Sequence, residues 1–364
     1  MRRKQIRYFD YSLLFIIIFL VCFGLVVLYS TSFYNGQVKF NDGAYYLKKQ
    51  LLATALGFPL LLIVASIDYR IWQNFWLIAY ILAFGLCVAA IFFGEEIHGS
   101  KRWLRVGPLT FQPSEAAKVA IIIFLATIIS RMPKKMGKFS TLIKIMLMVL
   151  PMVVIVASEN LSTAIIILGI AVVLVFVASP KYKQFFVIAG IMAAFGVLFI
   201  MMEGYRAERI KIWWHPEQYE KGYQTLQGLY AIGSGGLFGK GLGSSMQKLG
   251  FVPEAQNDMI FSIVCEELGL FGAICVILLF LLLIWRFMVI ANNAADLYGA
   301  LLVTGILAHF AIQVILNIAV VTNFMPNTGI SLPFISGGGT SVLFLLIEIG
   351  LALSVSRGIR FEDT

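Results

Sequence analysis

The chain has 364 residues, of which 60% are hydrophobic and only 13% are charged, with a formal net charge of +9 and a mean hydropathy of +0.90. Soluble domains are about half apolar and about a quarter charged, so a soluble fold of this length, with so much apolar surface to hide, is excluded. The surplus of Lys and Arg points to cytoplasmic anchoring against anionic lipid, and no soluble basic module exists to bind nucleic acid.

The first residues, MRRKQIR, resemble the charged start of a signal peptide. The apolar run from Ser12 to Leu28 is longer than a signal core and lacks a small-residue cleavage site, so it reads as a retained first span. A spanning helix needs about 20 mostly apolar residues. Such runs predict helices at 11–29, 47–67, 72–93, 114–130, 141–158, 161–179, 185–203, 259–285, 298–321 and 340–356. The fifth and sixth nearly touch at Ser158-Glu159-Asn160, which predicts a tight helical hairpin. The expected fold is an all-α integral membrane protein with about ten transmembrane helices, because backbone in lipid must satisfy its own hydrogen bonds. It is expected to form one membrane domain over 1–364.

Short-loop charge orients the bundle. Arg2, Arg3, Lys4 and Arg7, then Arg131, Lys134, Lys135 and Lys138, then Lys181 and Lys183, then Arg286, then Arg357 and Arg360 all fall on one side. That side is expected to be cytoplasmic and to hold both termini. The expected extracellular loops are 94–113, a long one at 204–257 between spans seven and eight, and 322–339. They too are basic, with Lys101, Arg102 and Arg105 in the first and Arg206, Arg209, Lys211, Lys221, Lys240 and Lys248 in the second. These cations either solvate the loops or meet a polyanion such as a pyrophosphate at the outer face. Cys22, Cys87, Cys265 and Cys275 all lie in apolar runs and read as small core residues.

Ionisable groups at span edges are costly and point to function. Pro113, Ser114 and Glu115 suit the first turn of the fourth span, and Glu115 and Lys118, three apart, can pair on one face. The pair is either functional or a structural device that fixes the helix end. Asp258 opens the eighth span, as a helix cap or as a general base for a lipid-linked substrate. Glu266 lies about 12 Å further along that helix at ~1.5 Å per residue, too far for a direct dyad with Asp258. Glu266 and Glu267 are therefore expected to bond to neighbouring helices or a partner. The glycine tract Gly233 to Gly243 fails the strict P-loop pattern and retains a weaker phosphate role as a backbone nest. The tract Ser336-Gly337-Gly338-Gly339-Thr340 is either a re-entrant segment lining a cavity or an ordinary turn. His309, Asn317 and Glu348 are expected to bond between helices. No Cys or His cluster has metal-site spacing.

At these residues the chain resembles the SEDS proteins, the RodA, FtsW and SpoVE group of bacterial cell-wall synthases. The matching pieces run from the first span to the last. They are Gly99-Ser100-Lys101-Arg102-Trp103-Leu104; Gln112-Pro113-Ser114-Glu115 with Lys118; Gly233-Ser234-Gly235-Gly236; and Phe251-Val252-Pro253-Glu254. Further on come Asn257-Asp258-Met259-Ile260-Phe261, Glu266-Glu267-Leu268-Gly269 and Thr328 through Gly338. The resemblance implies a multi-pass protein of the bacterial cytoplasmic membrane. Such a protein polymerises glycan strands from lipid II, releases undecaprenyl pyrophosphate and works with a class B penicillin-binding protein in cell division or elongation. It places the essential acid on Asp258, and the family's outer-loop Arg and Trp on Arg102 and Trp103. It also carries over the Glu and Lys of the fourth span, to Glu115 and Lys118. One departure is Glu159-Asn160-Leu161-Ser162-Thr163, where many members carry Pro-Asp-Leu-Gly-Thr, so the usual acid is Asn160 here and Glu159 is a candidate substitute.

The expected reaction is glycosyl transfer between two lipid-linked sugars at the outer surface. Asp258 takes the hydroxyl proton, supported by Asn257. Arg102, Lys118, Lys240 or Lys248 meets the departing pyrophosphate, assisted by Mg²⁺ that bridges phosphates with few protein ligands. Trp103, Glu115 and Ser336 complete the expected substrate site, with Trp103 either stacking on sugar, anchoring at the interface or only packing, and no organic cofactor is expected. The rival functions are a lipid II flippase, which needs access from both faces, and a non-catalytic scaffold of the division or elongation complex.

Overall fold

The computed structural model describes residues 9–97, 100–106, 109–181, 183–185, 190 and 211–359. In chain order the α-helices are α1 (Tyr11–Phe40), α2 (Tyr45–Ser66), α3 (Trp76–Phe93), α4 (Pro113–Arg131), α5 (Phe139–Glu159) and α6 (Leu161–Ala178). They continue as α7 (Tyr223–Ser234), α8 (Ile260–Asn292), α9 (Leu297–Val321) and α10 (Thr340–Ser356). Among the described residues, eight helices are long and apolar enough to cross a membrane: α1 to α6, α8 and α9. The helix α10 is a shorter apolar one. The expected seventh span, 185–203, lies almost wholly outside the described residues.

Helix α4 is the centre of the bundle and buries nearly every side chain from Pro113 to Ile129. Around it, α3 buries only Ala83, Cys87 and Ala90 and turns the rest of its apolar surface outward. Outward Leu, Ile and Phe side chains suit a bilayer, where a soluble protein would bury them. Helices α2 and α10 pack closely where Gly57 faces Leu346 and Gly350 faces the Leu61 carbonyl, the small-residue contact that brings membrane helices together. The basic residues Arg131, at the end of α4, Lys134, Lys135 and Lys138 in the α4–α5 connection, and Lys181 just after α6 lie at one end of the bundle.

The first outer loop is folded, which the hydropathy pattern did not anticipate. Strands β1 (Glu95–Ile97), β2 (Ser100–Val106) and β3 (Leu109–Phe111) form an antiparallel sheet in the order β1-β2-β3. Leu104 pairs with Phe111 and Val106 with Leu109, and Phe111 packs against Phe344 of α10.

The expected eighth span, 259–285, is interrupted. Gly269 has φ 67° and ψ −167°, which breaks α8 in two. The portion after the break has about 23 residues, or ~34 Å at ~1.5 Å per residue, enough to cross by itself. An unbroken helix would bond the Leu270 and Phe271 amides to the carbonyls of Glu266 and Glu267. Instead the glycine-rich loop is inserted. Leu270 and Phe271 donate to the carbonyls of Gly236 and Leu237, and Lys240 and Gly241 donate to those of Glu266 and Glu267. A kink caused by a group inserted into the helical ladder needs those replacement bonds.

This corrects the nest expectation for the glycine tract. At these positions its amides are consumed by the broken helix and are not free to cradle a phosphate. Glycine is required on both sides of the contact: Gly239 has φ +77°, and a Cβ there would collide with the Glu267 carbonyl. Gly239→Ala is expected to lower thermal stability by more than the ~1–2 kcal/mol of a left-handed residue alone. Melting of the detergent-purified variant checks this, and a wild-type melting temperature would rule the clasp out as a stabilising contact.

Candidate active site

Asp258 sits two residues before α8. Met259 caps that helix without a side-chain bond, so Asp258 is not the cap that the simplest reading allows. Its main-chain carbonyl accepts from Asn317 Nδ2 of α9 at 2.9 Å, and the same amide donates to the Ile330 carbonyl at 2.6 Å. Its carboxylate Oδ1 accepts from Gln224 Nε2 of α7 at 3.4 Å, and Gln224 also donates to the Pro253 carbonyl at 3.3 Å. Gln224 Oε1 in turn accepts from Asn327 Nδ2 at 3.1 Å. Gly329, at φ +64°, lies beside the other oxygen: a Cβ there would be 3.8 Å from Oδ2.

Asp258 is half-buried, enclosed on most sides yet open to the surface. Enclosure pushes its carboxyl up to about 6, and the nearby Glu254 carboxylate adds to the rise. Hydrogen bonds from its own amide, from Gln224 and from the Met259 amide oppose it. The turn before it is strained: Glu254 has φ 51°, a conformation few non-glycine residues adopt. Asn257, expected to support Asp258, donates instead to Glu254 Oε2 at 2.6 Å.

The segment 322–339 forms the other wall. It is irregular and largely buried from Ile330 to Ser336. A Cβ on Gly24 of α1 would strike the Phe334 carbonyl, so this backbone reaches α1 well inside its length. Gly24 lies six residues, or ~9 Å, deeper along α1 than Ser30, which bonds Glu267 near the break in α8. Of the two readings of this tract, the geometry therefore supports the re-entrant one. Its amides are satisfied internally: Gly337 donates to the Gln256 carbonyl, and Gly338 and Gly339 donate to Gln50 Oε1. Ser336 is not a substrate ligand in this arrangement. It is buried, and its hydroxyl accepts from the Leu332 amide at 2.8 Å.

Four further expected site residues are also redirected. Lys240 Nζ is 2.7 Å from Glu266, which is fully buried. Lys248 Nζ is 2.6 Å from Glu267 and also meets Ser30 at 2.9 Å, with both charged side chains buried. In this conformation the two lysines neutralise the paired acids of α8, which is where the structure places their charge. Lys118 is 2.9 Å from Glu115, and Ser341 of α10 donates to Glu115 at 2.8 Å. Both members are buried, so the pair fixes the start of α4 and does not touch a substrate in this conformation.

Arg102 and Trp103 lie in β2, with Trp103 half-buried; the side chain of Arg102 is outside what the structure describes. Glu159 ends α5 and lines a crevice with Cys87, Pro113, Ser114 and Asn160, while Asn160 caps α6 through the Thr163 amide. Among the described residues no Lys, Arg or His lies within ion-pair distance of Asp258, and no three His, Cys, Asp or Glu residues cluster as a metal site. Buried His309 and Glu348 pair at 2.8 Å, as the interhelical reading expects. Gln224, Asn327 and Gly329 escaped sequence reasoning. Asn317 could have been promoted by its spacing, since His309, Gln313 and Asn317 recur every fourth residue on one face of an apolar helix.

The family model described as "Cell cycle protein", covering FtsW, RodA and SpoVE, matches residues 11–360. The chain belongs to the FtsW/RodA/SpoVE family. It is 36% identical over 359 residues to stage V sporulation protein E of Bacillus subtilis, covering 97% of this chain and 98% of that one. It is 34% identical to a probable peptidoglycan glycosyltransferase FtsW of Trichlorobacter lovleyi, covering 98% and 96%. A solved structure described as showing structural coordination of polymerization and crosslinking by a peptidoglycan synthase complex superposes with a TM-score of 0.83 at 26% identity, covering 98% and 99%. Thermus thermophilus rod shape determining protein RodA superposes with a TM-score of 0.71 at 26% identity, covering 98% of each chain. A FtsW/RodA/SpoVE chain with eight apolar helices long enough to cross a membrane among its described residues is a multi-pass integral protein of the bacterial cytoplasmic membrane.

Proposed function

We propose that this FtsW/RodA/SpoVE protein polymerises lipid II into peptidoglycan glycan strands at the outer surface of the cytoplasmic membrane, beside a class B penicillin-binding protein. The observation that carries the chemistry is the half-buried carboxyl of Asp258, raised to about 6 and unpaired with any described cation. A general base works best when its proton affinity lies near the operating pH. The acceptor sugar's hydroxyl oxygen attacks the donor's anomeric carbon, and the bond from that carbon to the pyrophosphate oxygen breaks with its electron pair. The hydroxyl proton passes to Asp258. Undecaprenyl pyrophosphate leaves.

With Lys118, Lys240 and Lys248 committed to buried acids, Arg102 of β2 is the remaining expected cation for the leaving group. Trp103 is proposed to face sugar or the interface. Mg²⁺ is proposed to arrive on the pyrophosphate, since no cluster of acids among the described residues suits a protein-held ion.

The base must be deprotonated to act. Turnover is therefore expected to rise as pH rises through about 6 and to fall below it. Purified protein with labelled lipid II, assayed with and without the penicillin-binding protein, tests the function. Glycan ladders with an acid limb near that value support it. Transbilayer movement of lipid II without polymer would identify a flippase and overturn it.

A further inference from the structure

The two oxygens of Asp258 are not equivalent, and side chains from two distant segments make them so. Gln224 of α7 can present either its NH₂ or its carbonyl to Asp258, because the amide rotates freely in isolation. Asn327, in the re-entrant segment, decides which. Its Nδ2 donates to Gln224 Oε1 at 3.1 Å, which turns the Gln224 NH₂ toward Asp258 Oδ1 at 3.4 Å and the Pro253 carbonyl at 3.3 Å. Asn327 is itself held, since its Oδ1 accepts from the Gly329 amide at 3.4 Å. The same Gly329 flanks Oδ2 and carries no side chain to cover it. Asn317 fixes the Asp258 main chain from α9.

We infer that Gln224 and Asn327 are positioning residues that occupy Oδ1 of Asp258 and leave Oδ2, on the Gly329 side, as the oxygen that takes the proton. The inference rests on Asp258 as general base. It adds which oxygen reacts and what aims it. Beside the local bonds from the Asp258 and Met259 amides, Gln224 adds a directional side-chain bond from a separate helix to Oδ1, which restricts rotation of the carboxyl about its own axis, as outer partners do for reactive groups elsewhere. The arrangement also joins three otherwise separate elements. The re-entrant segment meets α7, and α7 meets the turn before α8. A substrate that displaced 322–339 would therefore release the amide and with it the aim of the base.

Among the described residues, the charged group facing Asp258 is Glu254, on its own turn; α7, α9 and the re-entrant segment present the neutral amides Gln224, Asn317 and Asn327. Glu254 raises the proton affinity of Asp258 and Gln224 lowers it. Loss of Gln224 therefore has a signature that a packing defect lacks.

Lipid II polymerisation is measured against pH for the full-length wild type, Gln224→Met, Asn327→Ala, Gln224→Asn and Asp258→Asn, in the same detergent or vesicles. Gln224→Met keeps length and volume but loses the donor. It is expected to lower kcat about tenfold or more with KM within about twofold, the size of a lost bond to a charged group. Its acid limb should also move to higher pH. Asn327→Ala should do the same more weakly, and Gln224→Asn should fail to restore wild-type rate because it is one methylene short. Wild-type kcat and an unmoved acid limb in well-folded Gln224→Met would overturn the inference. Activity in Asp258→Asn would instead overturn the general-base assignment, so the two failures are distinguishable.

Discussion

Asp258→Asn is expected to lower lipid II polymerisation by about 10²–10⁴-fold, the usual contribution of a positioned general base. Asn keeps an oxygen that can accept from Gln224 and keeps the main-chain carbonyl that Asn317 holds, so the turn before α8 should persist. What it removes is the ability to take a proton. Abundance in the membrane and thermal stability should stay near wild type while glycan ladders vanish at every pH. The absence of any described cation at Asp258 makes the outcome sharper. A carboxylate whose main role was an ion pair would leave a stranded partner on mutation and destabilise the fold; here no such partner is described. Full activity in this variant would remove the chemistry proposed for the site.

The second large effect is on folding. Lys118→Met is expected to destabilise the protein by about 3–5 kcal/mol, because it strands the Glu115 carboxylate in the bundle centre. The pair is 2.9 Å apart, with side-chain exposures of 2% and 8%. Those exposures leave almost no water to stabilise a lone charge. Ser341 can supply one hydrogen bond but no positive charge. The double variant Glu115→Gln/Lys118→Met leaves no buried charge unpaired and should recover most of the loss. Detergent melting and membrane abundance report both steps. A double variant as unstable as the single would show that the ion pair is not what holds the start of α4.

Much of the membrane architecture was legible in the sequence. The spans over α1 to α6, α9 and α10 follow from runs of apolar residues, and a retained helix near the N-terminus follows from the length of its apolar core. The family pattern is legible too, since its pieces are short, ordered and spread over the chain. The resemblance also singled out Asp258. The roles of the cations were not legible. Lys240 and Lys248 look like free positive charge in a loop, and their partners Glu266 and Glu267 lie 26 and 19 residues away. Likewise, nothing near Gln224 or Asn327 marks them: their meeting spans 103 residues.

Hydropathy and the placement of Lys and Arg determine that this chain enters a membrane, and broadly where it crosses. Each is a transfer energy of a local segment and needs no knowledge of what the segment touches. Only the folded bundle decided that α8 breaks at Gly269, that the glycine loop fills the gap, and that three lysines are spent on buried acids. Hydrogen bonds and ion pairs are short-ranged, so their partners are chosen by which distant segments pack side by side. Among the described residues, that same packing leaves the Asp258 carboxylate half-buried, held by amides and set against no cation, the arrangement from which its role as base is proposed.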